Sequence, residues 1–331
     1  IHFFKNVIKR LDRLGHEVMV TSRRFGNMES MLDKNDIECY LVGEHGGSSK
    51  EMKLKCSSQR ILGLTDLILE KRPDVALYKH SVEAPRVAYG LGIPSICVLD
   101  NEKATAQNRL MLPISSRVIA PDAISIDEIM QFGVSEGSIR RFNGFCELAH
   151  IEDFIPNDEV INELRINEDL PLAILRPEPV MANYFTGDPG SSIVTSLLRN
   201  LREYNCVVFP RTDEQSKLFR DHGAIIPDHC IDALSLIYHS SIVISAGGSM
   251  NREAVALGKP AISTYPEKLL AITEHMVEKG IKMHSCDANE VKRLSDALSD
   301  NKSYERSVRR KLKKMENPID VIVQELERIE L

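Results

Sequence analysis

The chain has 331 residues, of which 43% are hydrophobic and 27% are charged, a composition typical of a globular protein. This length favours more than one domain. The net charge of −6 argues against nucleic acid or an anionic membrane surface as a partner, and no apolar run approaches the roughly 18 residues of a membrane-spanning helix.

Strands and helices alternate along the first half of the chain. Short apolar runs rich in β-branched residues predict strands, and stretches with helical periodicity lie between them. The predicted strands are 17–23, 37–42, 74–79, 94–100 and 116–122, and the predicted helices are 3–14, 60–72, 83–91 and 125–132. A doubly wound domain normally begins with a strand, whereas this chain opens in a helix. Either a strand precedes Ile1 or the first sheet is incomplete, and restoring such a strand is expected to raise stability.

The second half repeats the alternation. The predicted strands are 172–175, 206–210, 224–227, 242–245, 260–264 and 281–285, and the predicted helices are 191–204, 213–221, 231–239, 250–257, 267–279 and 288–299. Two successive runs of this kind predict an α/β fold with two doubly wound, Rossmann-like parallel-sheet domains facing across a cleft. Ligands of such sheets bind beyond the carboxyl ends of the strands.

The segment 142–160 has mixed polarity and no clean period, which places the domain junction there. We therefore predict domains at 1–145 and 146–315, followed by a helix over 316–331. In that last helix, Ile319, Ile322, Val323 and Leu326 form an apolar stripe at helical spacing. The stripe predicts that the helix packs back on the first domain.

One strand of the second half ends in the sequence SAGGSMNRE, residues 245–253. Gly247 and Gly248 allow close approach to the backbone at a helix N-terminus, where free N–H groups and a partial positive charge favour phosphate. Ser245 and Ser249 add hydroxyl groups, and Glu253 is placed to accept hydrogen bonds from sugar hydroxyls. The alternative is a tight turn with Ser249 as N-cap and Glu253 complementing the helix dipole.

Two arginines follow other strands of the same half. Arg176 comes directly after the strand 172–175, and Arg211 comes directly after the strand 206–210. The forked guanidinium suits phosphate or carboxylate. A solvated or ion-paired role is the alternative for each, but together with the glycine turn they favour an anion site.

Acidic residues and a histidine follow strands of the first half. His80 and Glu83 come after the strand 74–79, and Asp100 and Glu102 come at or after the end of the strand 94–100. Such groups can carry out acid–base chemistry on a sugar hydroxyl. The alternative for both glutamates is a place in the first turn of a helix, favoured by the helix dipole.

Several signatures are absent from the sequence. There is no dinucleotide-binding G-x-G-x-x-G after a strand, no P-loop, no H-E-x-x-H, no G-x-S-x-G and no metal-binding D-x-D. The seven cysteines include no C-x-x-C pair, which argues against zinc or disulfides and favours a reducing, cytoplasmic location. We therefore expect no bound metal.

The stretch SAGGSMNREAVALGKPAIS resembles the C-terminal nucleotide-binding element of GT-B enzymes, S-G-G-x-x-x-E-A-x-x-x-G-x-P, found in UDP-N-acetylglucosamine 2-epimerases and many glycosyltransferases. The whole chain resembles the DUF354 family, which is largely archaeal and similar to those epimerases. The segments that carry this resemblance are HFFKNVIKRLDRLGHEVMVTSR, RPDVAL, GIPSICVLDNE, LRPEP, FPRTDEQ and GGSMNREAVALGKP. The resemblance implies a GT-B fold.

The resemblance also implies a ligand and roles for individual residues. The diphosphate of a UDP-sugar would be held by Ser245, Gly247, Gly248 and Ser249, with Arg176 near it and the ribose on Glu253. The epimerases carry a His-Arg-Arg-Glu run where this chain has LRPEP, and His-x-Glu-Ala-Gly where it has VLDNEKA. Nucleotide-sugar binding is therefore implied more firmly than the epimerase reaction.

The leading hypothesis is an enzyme that acts on a nucleotide sugar, with glycosyl transfer as the first choice and a carboxylate or His80 as the base. Epimerisation at C2 is the first alternative, and a non-catalytic nucleotide-sugar-binding protein is the second. The nucleotide sugar would be a substrate, and no cofactor is expected. The sequence leaves open the sugar, the acceptor and whether the chain forms a homodimer.

Overall fold

The computed structural model of the protein describes residues 1–26, 28–178 and 192–329. Four residues of the segments interpreted from the sequence lie outside the described residues: Pro179, Ser191, Glu330 and Leu331. The chain divides into two compact units: unit 1 comprises Ile1–His150 and Glu316–Leu331, and unit 2 comprises Ile151–Met315. Both units are α/β structures with parallel strands, as predicted. Within the described residues, no helix is long and apolar enough to cross a membrane.

Helices and strands alternate in both units. The first part of unit 1 contains α1 (His2–Arg13), β1 (Thr21–Arg24), α2 (Met28–Asp33), β2 (Tyr40–Glu44), α3 (Lys50–Lys71), β3 (Ala76–Tyr78), α4 (Glu83–Gly90), β4 (Ser95–Val98), α5 (Thr105–Met111), β5 (Arg117–Pro121), α6 (Ile126–Met130) and β6 (Ile139–Phe142). Unit 2 contains α7 (Glu159–Glu163), β7 (Leu172–Arg176), α8 (Ile193–Asn200), β8 (Asn205–Val208), α9 (Asp213–Asp221), α10 (Ala233–His239), β9 (Ile242–Ser245), α11 (Gly248–Ala256), β10 (Ala261–Ser263), α12 (Ala271–Glu278), β11 (Met283–His284), α13 (Ala288–Leu298) and α14 (Lys302–Leu312). The last element is α15 (Pro318–Glu327), which belongs to unit 1.

The described strands of unit 1 form separate parallel sheets, one pairing β1 with β2 and the other in the order β3-β4-β5-β6. The core lies between the second sheet and the helices α1 and α15, where Phe3, Val7, Ile96, Ile119 and Ile322 are buried together. Helix α15 packs against α1 and β5. Its start follows from the sequence, because Asn317 accepts a hydrogen bond from the backbone N–H of Ile319 and Pro318 occupies the first turn.

The sheet of unit 2 has the order β11-β10-β9-β7-β8, with all neighbours parallel. The chain runs from β7 outward to β8 and then crosses to β9 on the other side of β7. The point at which the direction changes lies between β7 and β9, where open α/β sheets bind ligands. In the register of this pair, Arg176 is the partner of Ser245. The carboxyl ends of both strands therefore meet at the predicted glycine turn.

The predicted junction after residue 145 differs from the observed division after His150. The 3-10 segment Cys146–Ile151 follows β6 directly, and its Cys146 and Ala149 are buried in the core of unit 1. The amide side chain of Asn6 also donates to the carbonyl oxygen of Ala149 at 2.7 Å. These contacts hold the segment on unit 1.

The predicted strand over 224–227 is wrong. Only Ile225 pairs, as an isolated parallel bridge to Val207 at the edge of β8. Pro227 has no backbone N–H and cannot continue a ladder of hydrogen bonds, which explains why the pairing stops there.

Several further elements were missed or misplaced in the sequence interpretation: the helices α2, α5, α7 and α14 were not predicted, and α3 and β6 also differ. Helix α3 begins at Lys50 rather than at residue 60, with Ser49 as an N-cap that accepts from the N–H of Met52. Strand β6 was not predicted, because Arg140 and Arg141 interrupt its apolar pattern. An edge strand tolerates such residues, since one of its sides needs no neighbour.

The packing of α15 gives a stability prediction. Replacing Ile322 with alanine should lower the free energy of unfolding by about 2–5 kcal/mol, because a fully buried side chain leaves a cavity in the core of unit 1. The matched control is Gln324→Ala on the exposed side of the same helix, which should change stability by less than about 0.5 kcal/mol. Urea unfolding followed by circular dichroism measures both. Equal midpoints for the two variants would contradict this packing.

Candidate functional site

The turn between β9 and α11 is built by Ser245, Gly247 and Asn251. The buried Ser245 hydroxyl accepts a hydrogen bond from the Gly247 N–H at 2.8 Å and donates to the Gly247 carbonyl at 3.1 Å. The side-chain amide of Asn251 donates to the carbonyls of Ser245 and Gly247, at 2.7 and 3.1 Å. The Ser245 hydroxyl therefore shapes the turn, and Asn251 fixes it from the first turns of the helix.

Helix α11 begins without a side-chain cap. Gly247 is the N-cap residue and has no side chain to offer. Ser249 lies inside the helix and is exposed, so the alternative that Ser249 caps the helix is wrong. An uncapped N-terminus presents N–H groups and the positive end of the helix dipole, both of which attract an anion.

Three arginine side chains surround the two glycines. A β-carbon built on Gly247 would lie 3.1 Å from Nη2 of Arg211 and 3.9 Å from Cδ of Arg176. A β-carbon built on Gly248 would lie 2.6 Å from Nη1 of Arg252. The glycines thus leave room for guanidinium groups beside the helix N-terminus, and unit 2 brings the predicted Arg176 and Arg211 together there.

Two of these arginines are held in place by neighbouring groups. Nε of Arg211 donates to the carbonyl oxygen of Pro177 at 3.0 Å, and the backbone N–H of Arg211 donates to the side chain of Gln215 at 2.9 Å. Burial lowers the pKa of Arg176, and the nearby carboxylate of Glu253 opposes that shift. Glu253 is itself buried, so a carboxylate and a guanidinium lie close together at the low-dielectric edge of the sheet.

In unit 1, His80 and Asp100 come together at the carboxyl ends of β3 and β4. Nε2 of His80 lies 2.5 Å from one carboxylate oxygen of Asp100, and Nζ of Lys79 lies 2.7 Å from the other. Burial alone would lower the pKa of Lys79, but Asp100, with smaller contributions from Cys146 and Glu147, outweighs burial and raises the pKa above its ordinary value. The carboxyl group of Asp100 therefore lies between an imidazole and an ammonium group.

The backbone at His80 is unusual. Its φ is +57°, in the left-handed region that residues other than glycine seldom adopt. Such conformations cluster at functional sites, where the surrounding structure compensates for the strain. Here the strained residue is the one whose imidazole meets Asp100, and about a third of its side chain is exposed.

The other two candidate acids of unit 1 have different surroundings. Glu83 is buried at the start of α4, with its carboxylate 3.8 Å from Nε of the buried Arg60. Burial lowers the pKa of Arg60, and the charge of Glu83 opposes that shift. Glu102 is buried between β4 and α5, where the side-chain amide of Asn108 donates to its backbone carbonyl at 3.3 Å. Glu83 is thus paired with Arg60, whereas His80 and Asp100 are paired with each other.

Arg252 and Lys79 were missed as site residues by the sequence interpretation, although a signal existed for each. Arg252 follows Gly248 by four residues, and helical side chains point back over the preceding turn. Lys79 directly follows β3 and precedes His80. Within the described residues, no group of three or more His, Cys, Asp or Glu side chains could hold a metal ion.

Solved structures with the same fold include UDP-GlcNAc 2-epimerases and glycosyltransferases. The UDP-GlcNAc 2-epimerase from Methanocaldococcus jannaschii is similar with a TM-score of 0.72 and 13% identity, over 99% of this chain and 96% of that one. The Neisseria meningitidis UDP-GlcNAc 2-epimerase, solved with UDP-GlcNAc, gives 0.69 and 15% over the same shares of the two chains. The Streptomyces sp. SF2575 glycosyltransferase SsfS6, solved with thymidine diphosphate, gives 0.60 and 15%, over 98% and 95%. The fold is therefore of the GT-B type, as predicted.

The family is shown by the sequence as well. Residues 1–329 match the family described as "Protein of unknown function (DUF354)", and the chain belongs to that family. The uncharacterized protein MJ0665 of Methanocaldococcus jannaschii is 38% identical over 308 residues, which cover 91% of this chain and 88% of that protein. The family predicted from the sequence motifs is thus confirmed.

The Arg60–Glu83 pair gives a testable prediction. Changing Glu83 to glutamine should lower the free energy of unfolding by about 3 kcal/mol, because it leaves a buried guanidinium without its opposite charge. The control is Glu51→Gln on α3, which removes an exposed ion pair with Lys55 and should cost less than about 1 kcal/mol. Chemical denaturation of both variants measures the difference. If Glu83→Gln is as stable as the wild type, the pair does not hold α3 against α4.

Proposed function

We propose that the protein is an enzyme that acts on a UDP-linked sugar and that the reaction is glycosyl transfer. The observation that carries the proposal is the uncapped N-terminus of α11, with Arg176, Arg211 and Arg252 around Gly247 and Gly248. This arrangement suits a diphosphate, which carries more negative charge than one guanidinium can balance.

The same arrangement suits the chemistry of a nucleotide-sugar enzyme. When the bond between the sugar and the diphosphate breaks, negative charge develops on the departing phosphate oxygen. Helix N–H groups and guanidinium groups already directed at that point stabilise the charge without reorganisation and without a metal ion. Glu253, buried one turn into α11, would accept hydrogen bonds from the ribose hydroxyls.

The solved structures of the same fold give independent support. One of these epimerases was solved with UDP-GlcNAc, and the glycosyltransferase SsfS6 was solved with thymidine diphosphate. Both ligands contain a nucleoside diphosphate. The support is by analogy of fold, and the assignment of residues in this chain rests on its own geometry.

His80 and Asp100 are the acid–base pair of this proposal. Because Nε2 of His80 faces the Asp100 carboxylate, that nitrogen carries the proton and Nδ1 is left to accept one. A carboxylate-oriented imidazole is a suitable base for the hydroxyl group of an acceptor. Asp100 would then stabilise the imidazolium as it forms, while Nζ of Lys79 pairs with its other carboxylate oxygen at 2.7 Å.

Epimerisation at C2 is the second candidate, because epimerases of this fold superpose with TM-scores of 0.69 and 0.72. That reaction needs two acid–base groups around one sugar ring. His80 and Asp100 act as one hydrogen-bonded pair, so the second group would have to be Glu102 or Glu83. Binding without turnover is the third outcome.

One incubation separates these three outcomes. The protein is incubated with UDP-GlcNAc and followed by proton and phosphorus NMR, with the His80→Gln variant as control. Transfer of the sugar to water, or to a hydroxyl acceptor such as glycerol added to the incubation, releases UDP, and epimerisation gives UDP-ManNAc without net UDP release. We expect UDP release that is strongly reduced in His80→Gln. A spectrum in which the nucleotide sugar is bound but unchanged would show that the protein binds it without turnover. A His80→Gln variant as active as the wild type would exclude His80 as the base.

The glycine turn is tested by Gly248→Val. The backbone at Gly248 is helical, so valine should fold there, but its side chain would displace Arg252 and fill the space in front of the helix. We expect UDP affinity, measured by isothermal titration calorimetry, to fall at least about tenfold, or about 1.4 kcal/mol. The control is Gly137→Val in unit 1, where a β-carbon meets no other atom within 4 Å. Equal UDP affinity in a folded Gly248→Val protein would refute this phosphate site.

A further inference from the structure

Helix α3 carries leucines on the side that faces solvent. Leu54, Leu62 and Leu69 are exposed by 70%, 68% and 56%, and they are spaced eight and seven residues apart on one face of the helix. The opposite face is already used, since Arg60 and Leu64 are buried there and α3 packs against β2 and α4. A surface helix normally keeps its solvent face polar, so this stripe needs an explanation of its own.

The residues between the leucines suit an apolar contact. Ser58 donates its hydroxyl to the carbonyl of Leu54 at 3.0 Å, and Thr65 donates to the carbonyl of Ile61 at 2.8 Å. Both hydroxyls are therefore satisfied within the helix and need no water. Together with the leucines they form a continuous surface, the α3 stripe, made of Leu54, Ser58, Leu62, Thr65 and Leu69.

The α3 stripe is self-complementary about a point between Ile61 and Leu62. An antiparallel copy related by a two-fold axis at that point places Leu54 of one chain against Leu69 of the other. The same operation brings Ser58 opposite Thr65 and places the two copies of Leu62 beside each other across the axis. A parallel arrangement has no such axis across the helix and would leave the helix dipoles aligned, which is unfavourable.

The charges beside the stripe follow the same symmetry. Lys55 lies near the amino end of the helix, and Asp66 and Glu70 lie near its carboxyl end on the same side. In the antiparallel arrangement, Lys55 of one chain comes opposite Asp66 and Glu70 of the other. In a parallel arrangement, Lys55 would lie about 16 Å or more along the helix axis from Asp66 and Glu70 of the other chain, too far to pair with them. Opposite charges across an interface favour the correct partner and register.

We propose that the α3 stripe is the interface of an antiparallel homodimer, with a second copy of this chain as the occupant. The proposal goes beyond the proposed enzymatic function and does not depend on it. It rests on the solvent-facing leucines, their symmetric spacing and the complementary charges. Burial of leucines from both copies would supply the driving force for dimerisation. Exposed apolar surfaces of this kind commonly mark interaction sites.

Sedimentation equilibrium of the full chain over a range of concentrations tests the proposal. We expect the wild type to be a dimer and Leu62→Glu to raise the dimer dissociation constant at least about tenfold. The control is Leu110→Glu on α5, another exposed leucine of unit 1, at 58%, which should leave the dimer unchanged. A monomeric wild type, or a folded Leu62→Glu protein that dimerises as well as the wild type, would overturn the proposal.

A charge-exchange experiment tests the antiparallel register separately. Leu54→Lys and Leu69→Glu should each weaken dimerisation, because each puts a charge against a leucine of the other chain. The double variant should dimerise better than either single variant, since the introduced ammonium group of one chain would then meet the introduced carboxylate of the other in both halves of the interface. A double variant that is at least as weak as the singles would contradict the antiparallel arrangement. Circular dichroism confirms that each variant is folded.

Discussion

The pairing of β7 with β9 is the constraint on which the candidate site of unit 2 depends. Because β8 lies on the far side of β7, the chain has to cross back before it forms β9, and the two central strands end side by side with Arg176 opposite Ser245. The next residues are the glycines that open α11. The strand order thus brings the ends of β7 and β9 together, and the register places the guanidinium of Arg176 beside them. Asn251 fixes the turn by donating to the carbonyl groups of Ser245 and Gly247.

In unit 1, acidic residues that look alike in the sequence have different partners in the structure. Asp100 lies between the ammonium group of Lys79 and the partly exposed imidazole of His80. Glu83 lies against Arg60 in the interior, where removal of either charge leaves the other buried and uncompensated. Both are acids that follow a strand in the sequence. Their different partners follow from the long helix α3, which brings Arg60 next to α4.

Apolar periodicity was sufficient to predict the α/β class, because it is a local feature, and the resemblance of the glycine element and other segments to known families implied the GT-B fold and the family. Local pattern failed where tertiary context decided the outcome. Ala224–Pro227 is apolar enough for a strand, but only Ile225 finds a pairing partner at the edge of β8. Strand β6 contains two arginines, and it forms because its backbone pairs with the neighbouring strand β5. The position of Arg252 over Gly248 and the sharing of Asp100 by Lys79 and His80 depend on side-chain packing, which spacing alone does not specify.

The central claim is that the start of α11 and the surrounding arginines bind the diphosphate of a nucleotide. A crystal structure of the full chain with UDP tests it most directly. We predict both phosphate groups in front of Gly248, within hydrogen-bonding distance of the first N–H groups of α11 and of guanidinium groups from Arg176, Arg211 or Arg252, with the ribose next to Glu253. UDP bound elsewhere, with the edge between β7 and β9 empty, would contradict it.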